Sequence, residues 1–256
     1  MAPGVRPVAG RRSPDPGAAA AVALPVAATL RGTLVRRYQR FFADVRTEDG
    51  DTLTAHCPNP GSMRGLLQEG AAVRCSRAAS AARRLPYTLE MIRAGRAWVG
   101  VHTHLANAFA ARMLGAGALA ALAGYASLRR EVPAPGGSRL DFLLEGRPGD
   151  PRPAFVEVKS VTLAEGACAR FPDSVTARGR RHAECLASLR GAGARAVLLF
   201  VVQRGDCERV EPADEIDPDY GAALRAAARA GVEVLAVRAR VGPTGIRYEC
   251  PLPVAL

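Results

Sequence analysis

A chain of 256 residues has room for one large domain or two small ones, and 48% apolar with 23% charged residues is ordinary for a globular protein, which excludes a wholly disordered, collagen-like or coiled-coil chain. The net charge of +11 is unevenly placed: residues 1–100 hold 15 Arg against 7 acids, and the remainder 20 basic residues against 17. That excess in the first half fits a polyanion partner, and equally a surface that is basic only for solubility.

Residues 1–23 read as a disordered tail rich in Pro, Gly and Ala. The apolar stretch at 18–30 is interrupted by Pro25 and falls far short of the ~20 residues of a membrane span, so no membrane or export segment is expected. Residues 24–102 then read as short strands at 29–35, 40–45 and 52–56, with a hairpin turn at Asp49-Gly50. Cys57-Pro58-Asn59-Pro60-Gly61 is a loop, Ser62 an N-cap for a helix over 63–68, and Gly70 its stop. Strands follow at 71–75, 87–92 and 97–101. Three strands, a short helix and further strands are the order of an OB-like β-barrel, a scaffold that binds nucleic acid and also sugars.

Residues 103–256 change period. A helix over 105–122 precedes strands at 128–132, 139–144 and 154–161, a helix over 175–189, and a nearly all-apolar strand at 195–202 of the kind buried on both faces. A helix over 222–230 and a strand at 232–237 complete an α/β domain with a mixed sheet. The acidic run from Asp206 to Asp219 lacks the spacing of a calcium loop and reads as solvated. Cysteines 57, 75, 168, 185, 207 and 250 form no CxxC and no zinc spacing, which suits a reducing cytoplasm.

Chemistry concentrates on two neighbouring strands. Glu157 and Lys159 share one face of theirs, and Asp141 lies on the strand before, where antiparallel pairing brings it beside Glu157. Two carboxylates held together in apolar surroundings call for a cation, and oxygen donors of this kind suit Mg²⁺ or Mn²⁺. Lys159 is the only lysine in the chain against 34 arginines. Few Lys, Asn and Ile suggest GC-rich codons, so a lysine kept here points to a place where a flat guanidinium will not serve. A lysine beside a metal can hold the attacking water and stabilise phosphoryl charge. Asp, then Glu-x-Lys on the next strand, resembles the catalytic signature of PD-(D/E)xK nucleases, with Asp141, Glu157 and Lys159 catalytic and Asp141 and Glu157 holding the metal. A surface Glu–Lys pair on an edge strand is the bland alternative.

Other residues carry two readings each. Arg178 and His182 stand one turn apart on the following helix, as substrate contacts or as a solvated face. Glu131 is a further acid near the metal or an ordinary strand residue, and Asn107 caps a helix or lines the cleft. Residues 56–63 bind nucleotide through backbone N–H groups or only turn the chain. Arg37, Tyr38, Arg40 and Phe41 alternate cation and ring as a nucleic-acid stacking groove would, although on a strand half of them must face the core.

Together with these residues, Arg37-Tyr38-x-Arg40-Phe41, the run from His56 to Met63 (HCPNPGSM), Leu85 to Glu90 (LPYTLE), Val99-Gly100-Val101-x-Thr103, Glu157 to Leu163 (EVKSVTL), Phe171-Pro172-Asp173 and Arg178-Gly179 make the chain, over residues 24–253, similar to the sugar fermentation stimulation protein A family. Gln39 and His102 depart from its usual residues. The resemblance implies a bacterial DNA-binding protein with an OB-like N-terminal domain and a restriction-endonuclease-like C-terminal domain, and a role in sugar (maltose) metabolism.

The expectation is therefore an OB-like barrel over 24–102 that holds DNA or RNA and a PD-(D/E)xK domain over 103–256 that cuts phosphodiester bonds with Mg²⁺. The competing class is a non-catalytic DNA-binding regulator on a nuclease fold; the absence of a legible helix-turn-helix weighs against it. A carbohydrate-binding protein is a third, opposed by the basic first half. Oligomeric state, a homodimer included, stays open.

Overall fold

The computed structural model describes residues 22–80 and 82–256, so most of the expected tail lies outside the described residues. A three-residue strand, β1 (Ala23–Pro25), opens it. Six more follow: β2 (Leu30–Tyr38), β3 (Phe42–Thr47), β4 (Thr52–His56), β5 (Ala72–Arg77), β6 (Tyr87–Ala94) and β7 (Ala97–Gly100). Their order is β4-β3-β2-β5-β6-β7, and a bridge from His56 on β4 to Thr88 on β6 closes β2 to β6 into a five-stranded barrel. Gly50, at φ +91°, makes the β3–β4 turn that its sequence predicts.

Leu34, Val45, Ala55 and Leu89 fill the barrel, joined by Met63 and Leu66 from the β4–β5 connection. That connection is not the helix expected over 63–68. Met63 sits at φ +54°, a left-handed backbone that no α-helix continues through, and its fully buried side chain plugs the barrel instead. Ser62 accordingly caps no helix.

Helix α1 (Thr103–Gly115) leads into β8 (Ser127–Pro133), β9 (Arg139–Glu145), β10 (Ala154–Val161), β11 (Leu163–Glu165) and β12 (Cys168–Phe171). Helix α2 (Ala177–Gly191), β13 (Arg195–Val202), β14 (Arg209–Pro212), helix α3 (Pro218–Arg229), β15 (Glu233–Gly242) and β16 (Gly245–Leu252) complete the chain. The main sheet runs β1-β16-β15-β13-β10-β9-β8, with β10, β13 and β15 parallel and β13 at its centre. Every residue of β13 is buried, which is why its sequence is apolar almost throughout. β1 does not belong to the barrel: Ala23 pairs with Arg247 and Pro25 with Gly245, so the start of the described chain edges the second sheet.

Helix α1 ends at Gly115, earlier than its Ala/Leu-rich sequence suggests, because Gly117 turns the chain at φ +65° and only a single 3₁₀ turn follows at Ala120–Leu122. Strands β11, β12 and β14 form a small separate sheet that the sequence did not reveal, since three or four residues are too few to show a period. The acidic run is not a solvated loop. It contains β14, Asp206 pairs with Arg204 and Asp214 with Arg225, and buried Asp217 caps α3 by accepting from Tyr220 N at 3.0 Å.

Two cores sandwich the main sheet. On one face Phe109, Ala110 and Met113 of α1 pack on Val156, Val158 and Leu199; on the other, Leu186 of α2 and Leu224 of α3 pack on Leu198 and Phe200. Side chains alternate along β10, so burial of Val156 and Val158 under α1 sends Glu157 and Lys159 to the α2 side. The barrel joins the α1-side core through Met91, and Gly100 N donates to Gln203 O at 2.9 Å across the junction.

Candidate active site

The β9–β10 ladder pairs Val156 with Phe142 and ends there. Asp141 and Glu157 are the next residues, where the strands part. Instead of a further ladder bond, Val158 N donates to Asp141 Oδ2 at 2.7 Å, and Asn107 Nδ2 from α1 donates to Oδ1 at 2.6 Å. Burial, and next the charge of Glu157, push the Asp141 carboxyl up to about 7 against these donors and Lys159.

Glu157 is held differently. Burial raises its pKa, but the His182 hydrogen bond and the Lys159 charge outweigh it and keep the carboxyl below its usual range. Lys159 Nζ donates to Oε1 at 2.8 Å. His182 Nδ1 contacts the same Oε1, while Arg178 Nε donates to His182 Nε2 at 3.4 Å. Arginine has no lone pair to offer, so Nε2 is the acceptor and the imidazole proton lies on Nδ1, directed at Glu157. Both donors thus converge on Oε1. Oε2 is left buried with no partner.

A buried carboxylate oxygen without a donor, next to a second carboxyl that resists ionisation, is an arrangement that a cation relieves. Among the described residues no group of three or more His, Cys, Asp or Glu has metal-binding geometry. Two carboxylates completed by water and substrate oxygens are the usual complement of Mg²⁺. The donors present fit that ion.

These groups open into a cleft of about 680 Å³ walled by both units, with Asn59, Pro60 and Gly61 on the barrel side and His104 at the start of α1. Four arginines line it: 130, 139, 170 and 178. Arg170 is tied to Glu165 and Glu215. The contacts of the other three are the Phe142 ring, Glu131 O and His182 Nε2, none of them an acid, which leaves their charge available to a phosphodiester.

The structure brings Asp141, Glu157, Lys159, Arg178 and Asn107 together and redistributes the other candidates. His182, only 4% exposed, does not line the cleft; its ring contacts Glu157 instead. Arg37 is engaged within the fold. Its guanidinium donates to the carbonyls of Arg40, Asn59, Gly61 and Ser62 and holds the 59–62 loop against the barrel. Tyr38 stacks on Phe42 beneath Arg36. Arg40 remains exposed in the β2–β3 turn, away from the cleft lining, and Glu131 lines the cleft at φ +52° with its side chain exposed. Sequence reasoning misses Arg139, which lines the cleft from the start of β9. Asp173 is the other omission: Oδ2 accepts from Met63 N at 2.8 Å and its carbonyl from Ser62 Oγ at 2.5 Å, joining the two units at the cleft.

An OB barrel set on a mixed-sheet α/β domain, with Asp and Glu-x-Lys where two strands part, defines a two-domain protein with a nuclease-like second half. Residues 35–101 match the SfsA N-terminal OB domain and residues 104–245 the sugar fermentation stimulation protein RE domain. The chain belongs to the sugar fermentation stimulation protein family. A homolog from Geobacter sulfurreducens is 51% identical over 223 residues, 87% of this chain and 94% of the relative, and one from Halorhodospira halophila is 52% identical over 224 residues, 86% and 93%. The solved structure of Pyrococcus furiosus SfsA in complex with Ca²⁺ superposes with a TM-score of 0.83 at 27% identity, covering 91% of this chain and 98% of that one. No helix among the described residues is long and apolar enough to cross a membrane.

Proposed function

We propose that the protein hydrolyses phosphodiester bonds of nucleic acid, with a divalent cation, Mg²⁺ or Mn²⁺, held by Asp141 and Glu157. The observation that carries this reading is the buried, unpartnered Glu157 Oε2 beside an Asp141 carboxyl raised to about 7. The Ca²⁺ bound by the Pyrococcus relative supports a hard-cation site in the family. When bound, the ion would supply Lewis-acid polarisation and offset the charge that develops on the phosphoryl group.

The chain's own residues do the rest. Arg130, Arg139 and Arg178 bind the phosphate backbone at the cleft. Lys159, fixed by Glu157 Oε1, orients the attacking water and stabilises phosphoryl oxygen charge. His182 and Asn107 hold the two carboxylates in place. Water oxygen bonds to phosphorus, one P–O ester bond breaks, and the departing oxygen leaves with a proton.

The test is cleavage of end-labelled single- and double-stranded DNA and RNA with Mg²⁺, with Mn²⁺ and with chelator, by wild type and by Asp141→Ala. Metal-dependent cutting that Asp141→Ala abolishes is expected. Wild-type protein that binds nucleic acid but cuts no substrate with either metal would make this a DNA-binding regulator on a nuclease fold.

A further inference from the structure

The barrel carries a group of ring side chains that cleavage chemistry does not use. Phe41, in the β2–β3 turn, is 41% exposed and stacks on His56, with ring centroids 6.4 Å apart and planes 24° from parallel. Arg83, in the β5–β6 loop, donates to His56 Nδ1 at 2.9 Å and to Thr88 Oγ1 at 2.8 Å. Because arginine only donates, His56 Nδ1 offers its lone pair and the ring is neutral. Two residues beyond Thr88 on β6, Glu90 contacts His102 Nδ1 at 2.8 Å. The His102 ring lies 5.8 Å from that of His104, which lines the cleft. The row thus consists of two ring pairs, Phe41–His56 and His102–His104, bridged by Arg83, Thr88 and Glu90, and its second pair reaches the cleft.

The row is rigidly joined to the cleft wall. Cys57 N donates to Phe41 O at 2.8 Å, and the Arg37 guanidinium binds both Arg40 O in the β2–β3 turn and Asn59 O in the cleft loop.

We propose that this row is a stacking track for an unpaired nucleic-acid strand, and that the cleft accordingly takes single-stranded nucleic acid or the single-stranded end of a duplex. The part concerning the cleft rests on the cleavage reading above; the binding track does not. Three observations point to this occupant. The β2–β3 turn and the β5–β6 loop are the loops between the first two and the last two barrel strands, where OB barrels hold oligomers. An exposed Phe face can meet the face of a base only when that base is unpaired, and stacking of this kind tolerates any sequence. Charge agrees: Arg40, Arg83 and Arg84 are exposed in these two loops, and the carboxylate of the row, Glu90, is buried and bonded to Ser76 and His102.

The experiment is fluorescence anisotropy in chelator with labelled oligothymidylate of about 12 nucleotides, within the span one OB fold covers, and with a duplex of equal length. Wild type, Phe41→Ala and Phe41→Trp are compared, with melting curves to show that all are folded. Wild type should prefer the strand. Phe41→Ala should weaken strand binding by about tenfold or more, the usual loss for one base–aromatic stack, with little change for duplex, and Phe41→Trp should restore it. Equal strand affinity in wild type and Phe41→Ala, equal wild-type affinity for strand and duplex, or displacement of the strand by maltoheptaose would each overturn the track. Phe41-dependent strand binding in a protein that cuts nothing would uphold the track and remove the cleavage reading. Cutting without dependence on Phe41 would do the reverse.

Discussion

A Cβ on Gly61 would stand 2.6 Å from both carboxylate oxygens of Asp173. The barrel loop and the segment after β12 are in contact at that point, and the carboxylate can yield only by giving up the Met63 N–H that it accepts. The run from His56 to Met63 therefore works as a clamp: Arg37 grips it from the barrel, Asp173 from the second unit, and Asn59, Pro60 and Gly61 become cleft wall.

Gly61→Ala should cost ~1–3 kcal/mol, the range for a buried donor left without its partner, and Asp173→Ala a similar amount. The double variant should lose clearly less than the sum, because removing the carboxylate vacates the space that the methyl needs. Urea unfolding of the four proteins measures this. Additive losses would show that the two residues do not act on each other.

The Asp141 carboxyl predicts a pH dependence with a definite sign. Its folded value of about 7 lies above the ordinary 3.8, so between these pH values the folded state binds the proton more tightly than the unfolded chain does. Its contribution to stability is full below pH ~4, falls as pH rises to ~7, and is constant above. Asp141→Asn keeps the shape, and its amide can bond an Asn107 turned end for end. In chelator, wild type and Asp141→Asn should melt alike near pH 4, and the variant should melt higher at pH 8 by about 5 °C. Added Mg²⁺ should raise the wild-type melting temperature at pH 8 and move the variant far less. A wild type that melts at or above the variant at pH 8 in chelator would show that the carboxylate is not strained.

Lys159 tests whether charge or shape matters. Its ammonium sits among Glu157 Oε1 at 2.8 Å and His182 Nδ1 at 3.2 Å, with 9% of the residue exposed. A guanidinium is larger and flat, so in Lys159→Arg it would displace the group that orients water. A displacement of about 1 Å can cost on the order of 100-fold in rate. Lys159→Arg should keep fold and nucleic-acid affinity yet lose cleavage nearly as fully as Lys159→Ala. Binding, cleavage and circular dichroism on the same preparations decide it, and near wild-type cutting by Lys159→Arg would remove the role given to this residue.

What the sequence determined by itself is what depends on neighbours along the chain. Alternation bounded by turn residues located β10, and an almost unbroken apolar run located β13, each to the residue, because both are eight residues long and buried. The same alternation put Glu157 and Lys159 on one face, and a single intervening turn put Asp141 beside them. The Asp-Gly hairpin was legible for the same reason: its φ is a property of the residue itself.

What only the tertiary structure decided depends on partners far along the chain. Met63 takes a left-handed backbone because Asp173, 110 residues away, binds its N–H and the barrel needs its side chain, against the helical preference of residues 63–68. Arg37 has the charge of a phosphate contact, but three carbonyls of a loop more than twenty residues on, with Arg40 O beside it, claim its donors. His182 looked like a substrate contact until the alternation of β10 met the face of α2 and set it against Glu157. Charge and ring in a sequence state what a side chain can bind; packing determines whether a partner within the fold reaches it before any ligand does.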